Sequence, residues 1–177
     1  MKLKSKLIVV ACISVIFLNT KVKAQTTAAN TWQASIGLET ADPTGSVRKG
    51  TDFILGGTIR LQYGLSNNFA LTLTSGAYHF FPVYKPGTHT RYQSYGQIPI
   101  KAGFKTFFAK NIYFGAEAGL AIEEDDSGQG PTRLLLSPAL GYATKHWDVG
   151  IHYDRFSSTT QDSFGLIGLR LAYGFGL

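Results

Sequence analysis

Cysteine is nearly absent. The single one in 177 residues, Cys12, lies in the N-terminal apolar run, so no disulfide framework and no thiolate metal cluster can be built from this chain. Amphipathic helical periodicity is also missing beyond the first two dozen residues. No apolar run reaches the roughly 20 residues that a membrane-spanning helix needs. There is no glycine-rich phosphate loop, no pair of catalytic carboxylates at a telling spacing and no Cys–His cluster, so no cofactor or metal is implied. Solenoid repeats and low-complexity blocks are lacking as well, and the length suits one domain.

The formal net charge of +6 would suggest an anionic partner such as nucleic acid, but its placement removes that reading. Lys2, Lys4, Lys6, Lys21 and Lys23 all precede Gln25. They bracket an apolar run from Leu7 to Leu18 that ends in Val22-Lys23-Ala24, the pattern of a secretory signal peptide over residues 1–24. A mature domain of residues 25–177 keeps 12 basic residues against 11 acidic, a net of +1. Val9-Val10-Ala11-Cys12 loosely matches a lipoprotein box, but the apolar run continues past it, which favours cleavage before Gln25. The chain is therefore expected to be exported, and it uses no disulfides to stabilise itself.

What is present is period two. Large and small residues alternate in eight stretches: around Trp32–Glu39, Phe53–Tyr63, Phe69–Gly76, Ile98–Lys105, Ile112–Ile122, Leu134–Tyr142, Trp147–Asp154 and Leu166–Leu177. Connections between them alternate in length. Short turns are expected at Gly64–Asn68, Thr106–Asn111 and Ala143–His146, and longer polar loops at Thr40–Asp52, His79–Gln93, Glu123–Thr132 and Phe156–Asp162. Aromatics gather near both sets. Trp32, Tyr63, Phe69, Phe107, Phe108, Phe114, Tyr142, Trp147, Tyr173 and Phe175 lie near short turns or the chain end. Phe53, Tyr78, Phe80, Phe81, Tyr92, Tyr95 and Phe156 lie near the long loops. Folded as an up-and-down barrel, the two groups would form aromatic girdles at two interfaces.

The last stretch, GLIGLRLAYGFGL, shows which face meets which solvent. Ile167, Leu169, Leu171, Tyr173, Phe175 and Leu177 line one face; Gly168, Arg170, Ala172, Gly174 and Gly176 line the other. A soluble lipocalin-like barrel would turn the large face inward and carry a Lys-, Glu- and Thr-rich exterior. Here the small face is mostly Gly, Ala and Ser with isolated charges, so the large face is predicted to meet lipid. In hydrocarbon no backbone group can stay unpaired, so the eighth strand must close on the first.

QIPIKAGFKTFFAKNIYFGAEAGLAI (97–122) and the terminal GLRLAYGFGL resemble the small eight-stranded outer-membrane β-barrel family of OmpA/OmpX type, and the resemblance extends over residues 25–177. It implies an all-β, eight-stranded antiparallel up-and-down transmembrane barrel in the outer membrane, with both termini at the periplasmic side and four loops outside. It further implies contact with outer-membrane lipid and lipopolysaccharide. Family members usually end on an aromatic residue that barrel-inserting machinery reads; here Tyr173, Phe175 and Leu177 occupy that strand, with Leu177 last.

An eight-stranded barrel is filled by side chains rather than open. Glu39, Arg60, Lys101, Glu117, His152, Asp154 and Arg170 fall on the predicted inner face and are expected to form an internal ion-pair network, because an unpaired buried ion is costly. GIHYDRFSS (150–158) is the one stretch worth searching for catalysis. It resembles the His-x-Ser-Asn motif of outer-membrane lipid A deacylases, but Asp154 stands where their nucleophile would be and the nearest serines are Ser157 and Ser158. Glu123–Asp126 lacks the alternating ligand spacing of a calcium loop. The aromatic, basic stretch from His79 to His89 reads as girdle plus loop. The expectation is a non-enzymatic, monomeric barrel with an envelope-structural or surface-contact role. The alternatives are a lipid A hydrolase using His152, a narrow pore, and a soluble binding barrel.

Overall fold

The structure, a computed structural model, describes residues 28–84, 87, 94–125, 128–159 and 162–177, with only the backbone of 125, 128 and 129. The predicted signal peptide lies outside the described residues. Eight strands follow one another: β1 (Trp32–Gly45), β2 (Thr51–Ser66), β3 (Phe69–Pro82), β4 (Tyr95–Phe107), β5 (Ile112–Asp125), β6 (Gly128–Ala143), β7 (Trp147–Ser157) and β8 (Phe164–Gly176). Each pairs antiparallel with its sequence neighbours, and β8 closes on β1 over thirteen residue pairs from Gln33↔Gly176 to Gly45↔Phe164. No sheet edge is left, as a barrel in hydrocarbon requires.

The strands are staggered. Ser35, Arg60, Thr74, Lys101, Gly119, Leu135, Phe156 and Phe164 are successive partners around the barrel, and the path returns to β1 at Gly45, ten positions beyond its start at Ser35. This shear tilts the strands and sets the barrel's width. It also means that side chains facing each other across the lumen are not the ones paired in the sheet.

The predicted faces are the observed ones. Large apolar residues are exposed on every strand: Ile36 and Leu38, Leu55 and Ile59, Leu71 and Leu73, Ile100, Leu120, Leu134 and Leu136, Ile151, Ile167 and Leu169. Leu38 is 67% exposed while its neighbour Glu39 is 4% exposed. A water-soluble protein does not present so continuous an apolar surface. At the short-turn end, Trp32 packs on Tyr63, Phe69 stacks on Phe104, and Tyr173 contacts both Trp147 and Phe175, an amphipathic rim suited to a lipid–water interface.

Two expectations are corrected. Tyr78, Phe80, Phe156 and Tyr95, which stacks on Phe80, do not belong to an outer girdle. They point inward and, with Ile54, Leu135, Phe164 and Leu166, form an apolar cluster that fills the lumen at the long-loop end; Phe107 likewise turns inward at the other end, against Tyr113. On the outside of the long-loop end, Phe53 stacks on Phe81 and His79 meets Phe81 edge-on. Tyr92 lies outside the described residues. The long connections are also shorter than expected. β1 runs to Gly45 and meets β2 through one 3-10 turn, Ser46–Lys49, while β5 and β6 continue through most of the acidic Glu123–Thr132 stretch. Strands of 14 and 16 residues exceed the roughly 9–11 that cross a bilayer, so their ends stand in water, where strand pairing needs no apolar face.

Candidate functional site

Inward-facing polar side chains converge in the middle of the lumen and at its short-turn end. All seven residues singled out from the sequence are inward, and the structure brings them into contact. Glu39 (β1) accepts from Tyr78 Oη at 2.7 Å and Thr58 Oγ1 at 2.9 Å, and pairs with Arg170 Nε at 3.2 Å. Glu117 (β5) accepts from Thr72 and Thr74 at 2.7 and 2.8 Å and pairs with Arg60 at 3.2 Å and Lys101 at 3.9 Å. Asp154 (β7), fully buried, accepts from Ser137 and lies 3.7 Å from Lys101. The His152 imidazole stands between two carboxylates, 3.6 Å from Glu39 and 3.9 Å from Asp154.

Three members of the network do not appear in the sequence-based set. Asp148 gathers Lys105 at 2.5 Å, Tyr113 Oη at 2.7 Å, Arg170 at 3.6 Å and Arg60 at 3.7 Å. Lys105 also lies over the Tyr113 ring, 4.2 Å from its centroid. With these included, the lumen holds the cations Arg60, Lys101, Lys105 and Arg170 against the anions Glu39, Glu117, Asp148 and Asp154, a balanced set when His152 is neutral. Threonine hydroxyls on β2 and β3 and Ser137 on β6 satisfy carboxylate lone pairs that the cations leave free, which is what makes buried charge tolerable.

The two ends of the lumen differ. The long-loop end is closed by the apolar cluster, where Phe80, Leu135 and Phe156 have no exposure; above it Arg133 pairs with Glu123 and lies over the Phe164 ring. The short-turn end is polar, and the Asp148 side chain there is 14% exposed. Between them lies a cavity of about 20 Å³ lined by the charged residues, room for a water or a small ion.

Among the described residues His152 is not placed in a Ser–His–carboxylate arrangement. Ser137 donates to Asp154, not to His152, and His152 faces carboxylates inside the barrel. Among the described residues no group of three or more His, Cys, Asp or Glu is placed to hold a metal ion.

A closed, eight-stranded antiparallel barrel with an apolar outer belt and a filled, charged lumen has the fold of the small outer-membrane β-barrels. Solved structures agree. The attachment invasion locus protein Ail of Yersinia pestis is similar with a TM-score of 0.56 at 13% identity, covering 83% of this chain and 99% of that one. Its backbone structure in a phospholipid bilayer nanodisc gives a TM-score of 0.54. The N-terminal β-barrel domain of Pseudomonas aeruginosa OprF gives 0.53 at 16% identity, covering 84% of this chain and all of that domain. No family model and no curated protein sequence matches the chain.

Proposed function

We propose that this protein is a non-enzymatic barrel of the outer membrane, held by lipid around its belt and acting through the surface it presents beyond the membrane. The observation that carries this reading is the pairing of a continuous apolar exterior with a lumen that is filled, charge-balanced and closed at one end by aromatic packing. Among the described residues His152 has no serine beside it to make a hydrolytic constellation, and the lumen is packed with side chains. What remains available for function is its outer rim and strand ends. Envelope support or surface contact fits those surfaces, and the similar barrel Ail is an attachment invasion locus protein.

In this reading the termini and the short turns face the periplasm, and the long-loop ends of β1–β2, β3–β4, β5–β6 and β7–β8 face outward, against lipopolysaccharide. Tyr173, Phe175 and Leu177 on the closing strand are the surface offered to the barrel-assembly machinery; their outward exposure is consistent with that role. The barrel acts as a monomer, needs no cofactor and binds no nucleic acid. Cells with and without the gene should have identical lipid A, while adhesion or envelope integrity should differ. A lipid A species that disappears with the gene and also with His152→Ala would replace this reading by an enzymatic one.

A further inference from the structure

The charged cavity in the middle of the lumen is lined by more cations than carboxylates, and behind it Asp154 Oδ2, 3.7 Å from Lys101, is buried without a hydrogen-bond partner. The cavity is lined by four cations, Arg60, Lys101, Lys105 and Arg170, but by only two of the four lumen carboxylates, Glu39 and Glu117. Asp148 and Asp154 lie behind, bonded to Tyr113 and Lys105 and to Ser137. Lys101 is 2% exposed, and its ammonium meets Ser137 at 3.4 Å, Tyr78 at 3.5 Å and carboxylates at 3.7 and 3.9 Å. Those are long contacts for a buried group with three strong donors. Arg170 Nη1 is buried with no hydrogen-bond partner, 3.6 Å from Asp148. Both side chains line the same cavity, as do the small residues Gly115, Ala139 and Gly150.

Access and charge point the same way. The apolar cluster closes the long-loop end, so solutes reach the cavity only from the short-turn end. A second polar opening there, lined by Gln33, Gln62, Lys105, His146 and Asp148, shares Lys105 with the first. Exposed Lys110, Lys145 and His146 stand around that end, and among the described residues its turns carry no Asp or Glu. A mouth of positive sign concentrates anions.

We propose that the lumen holds one small monovalent anion of the halide class, hydrogen-bonded by Lys101 Nζ and Arg170 Nη1 and reached only from the short-turn side. The ion completes the donors of both side chains. This binding site is independent of what the outer rim contacts, so it stands or falls separately from the proposed surface role.

The test uses the full mature barrel refolded in detergent. Crystals grown in bromide should show an anomalous bromine peak within hydrogen-bond distance of Lys101 Nζ and Arg170 Nη1. In solution, the denaturant midpoint should rise with the logarithm of bromide concentration relative to gluconate at the same ionic strength. Gly115→Ala keeps every charge; its added Cβ meets nothing closer than 3.4 Å and intrudes on the cavity. That variant should fold, stay heat-modifiable and lose the bromide dependence. No anomalous peak at the site, with a water in its place in both salts, or equal midpoints in bromide and gluconate, overturns the proposal.

Discussion

Arg60 on β2 and Glu117 on β5 meet at 3.2 Å across the lumen, although three strands' width of sheet separates them. The contact joins opposite walls of the barrel, so it acts as a strut rather than as a surface pair. Glu117 is 8% exposed and also holds Lys101, Thr72 and Thr74. Glu117→Gln leaves Arg60 and Lys101 without their shared carboxylate and should cost about 3–5 kcal/mol of stability, the range for breaking a buried ion pair from one side. Urea unfolding of the refolded barrel measures this. A loss below ~1 kcal/mol would mean that water, not Glu117, satisfies the two cations.

The exterior gives the opposite kind of test. Ile59 is 62% exposed, and its neighbour Thr58 is 2% exposed and bonded to Glu39. Ile59→Arg places a charge in the lipid belt and should destabilise the barrel by about 2–4 kcal/mol in bilayers. A cost within about 0.5 kcal/mol, as at an ordinary water-facing surface position, would mean that Ile59 does not meet lipid. Unfolding in lipid vesicles separates the two.

Glycine has two uses here, and substitution distinguishes them. A Cβ on Gly119 would fall 1.9 Å from the Ile100 carbonyl oxygen, a backbone atom that no rotamer change can move. A Cβ on lipid-facing Gly57 meets nothing within 4 Å. Gly119→Ala should lower the yield of heat-modifiable barrel and shift its unfolding midpoint down, while Gly57→Ala should leave both unchanged or slightly improved.

The β6–β7 ladder pairs Leu136 with Arg155 and Ala139 with His152 but lapses between them, beside Pro138, and the β3–β4 ladder lapses in the same way beside Pro99. Proline has no N–H to give, so each lapse is one missing ladder bond. Pro138→Ala restores the donor and should add about 1 kcal/mol of stability. Amide exchange along β7 near Tyr153 should slow in that variant; unchanged exchange would place the cause of the lapse elsewhere.

Much of this was legible in the sequence because the side-chain period of a strand is two. Once Leu38 is assigned outward, Glu39 is inward, and the same parity carries along every strand. The misassigned aromatics broke that rule through proximity. Phe80 lies near a loop, but it shares parity with Thr72, Thr74 and Tyr78; Phe156 shares parity with His152 and Asp154. Parity alone would have placed both in the lumen. Lys105 and Asp148 also had the right parity, but each is near a turn and reads as a rim residue. Their meeting depends on the stagger of the strands, which no single strand's sequence contains. The extent of β5 and β6 was hidden for another reason: beyond the membrane a paired strand tolerates Glu, Asp and Gly, so the alternation that reveals a strand fades where the lipid ends.

The account depends on the direction in which the apolar face points. Electrophoresis of the outer-membrane fraction, unboiled against boiled in SDS, tests that most directly. The barrel described here should be recovered in that fraction, resist cold SDS and change mobility on heating. Recovery in the soluble periplasm with no mobility shift would contradict it, because Leu38, Ile59 and Ile167 would then have to be a core and not a surface.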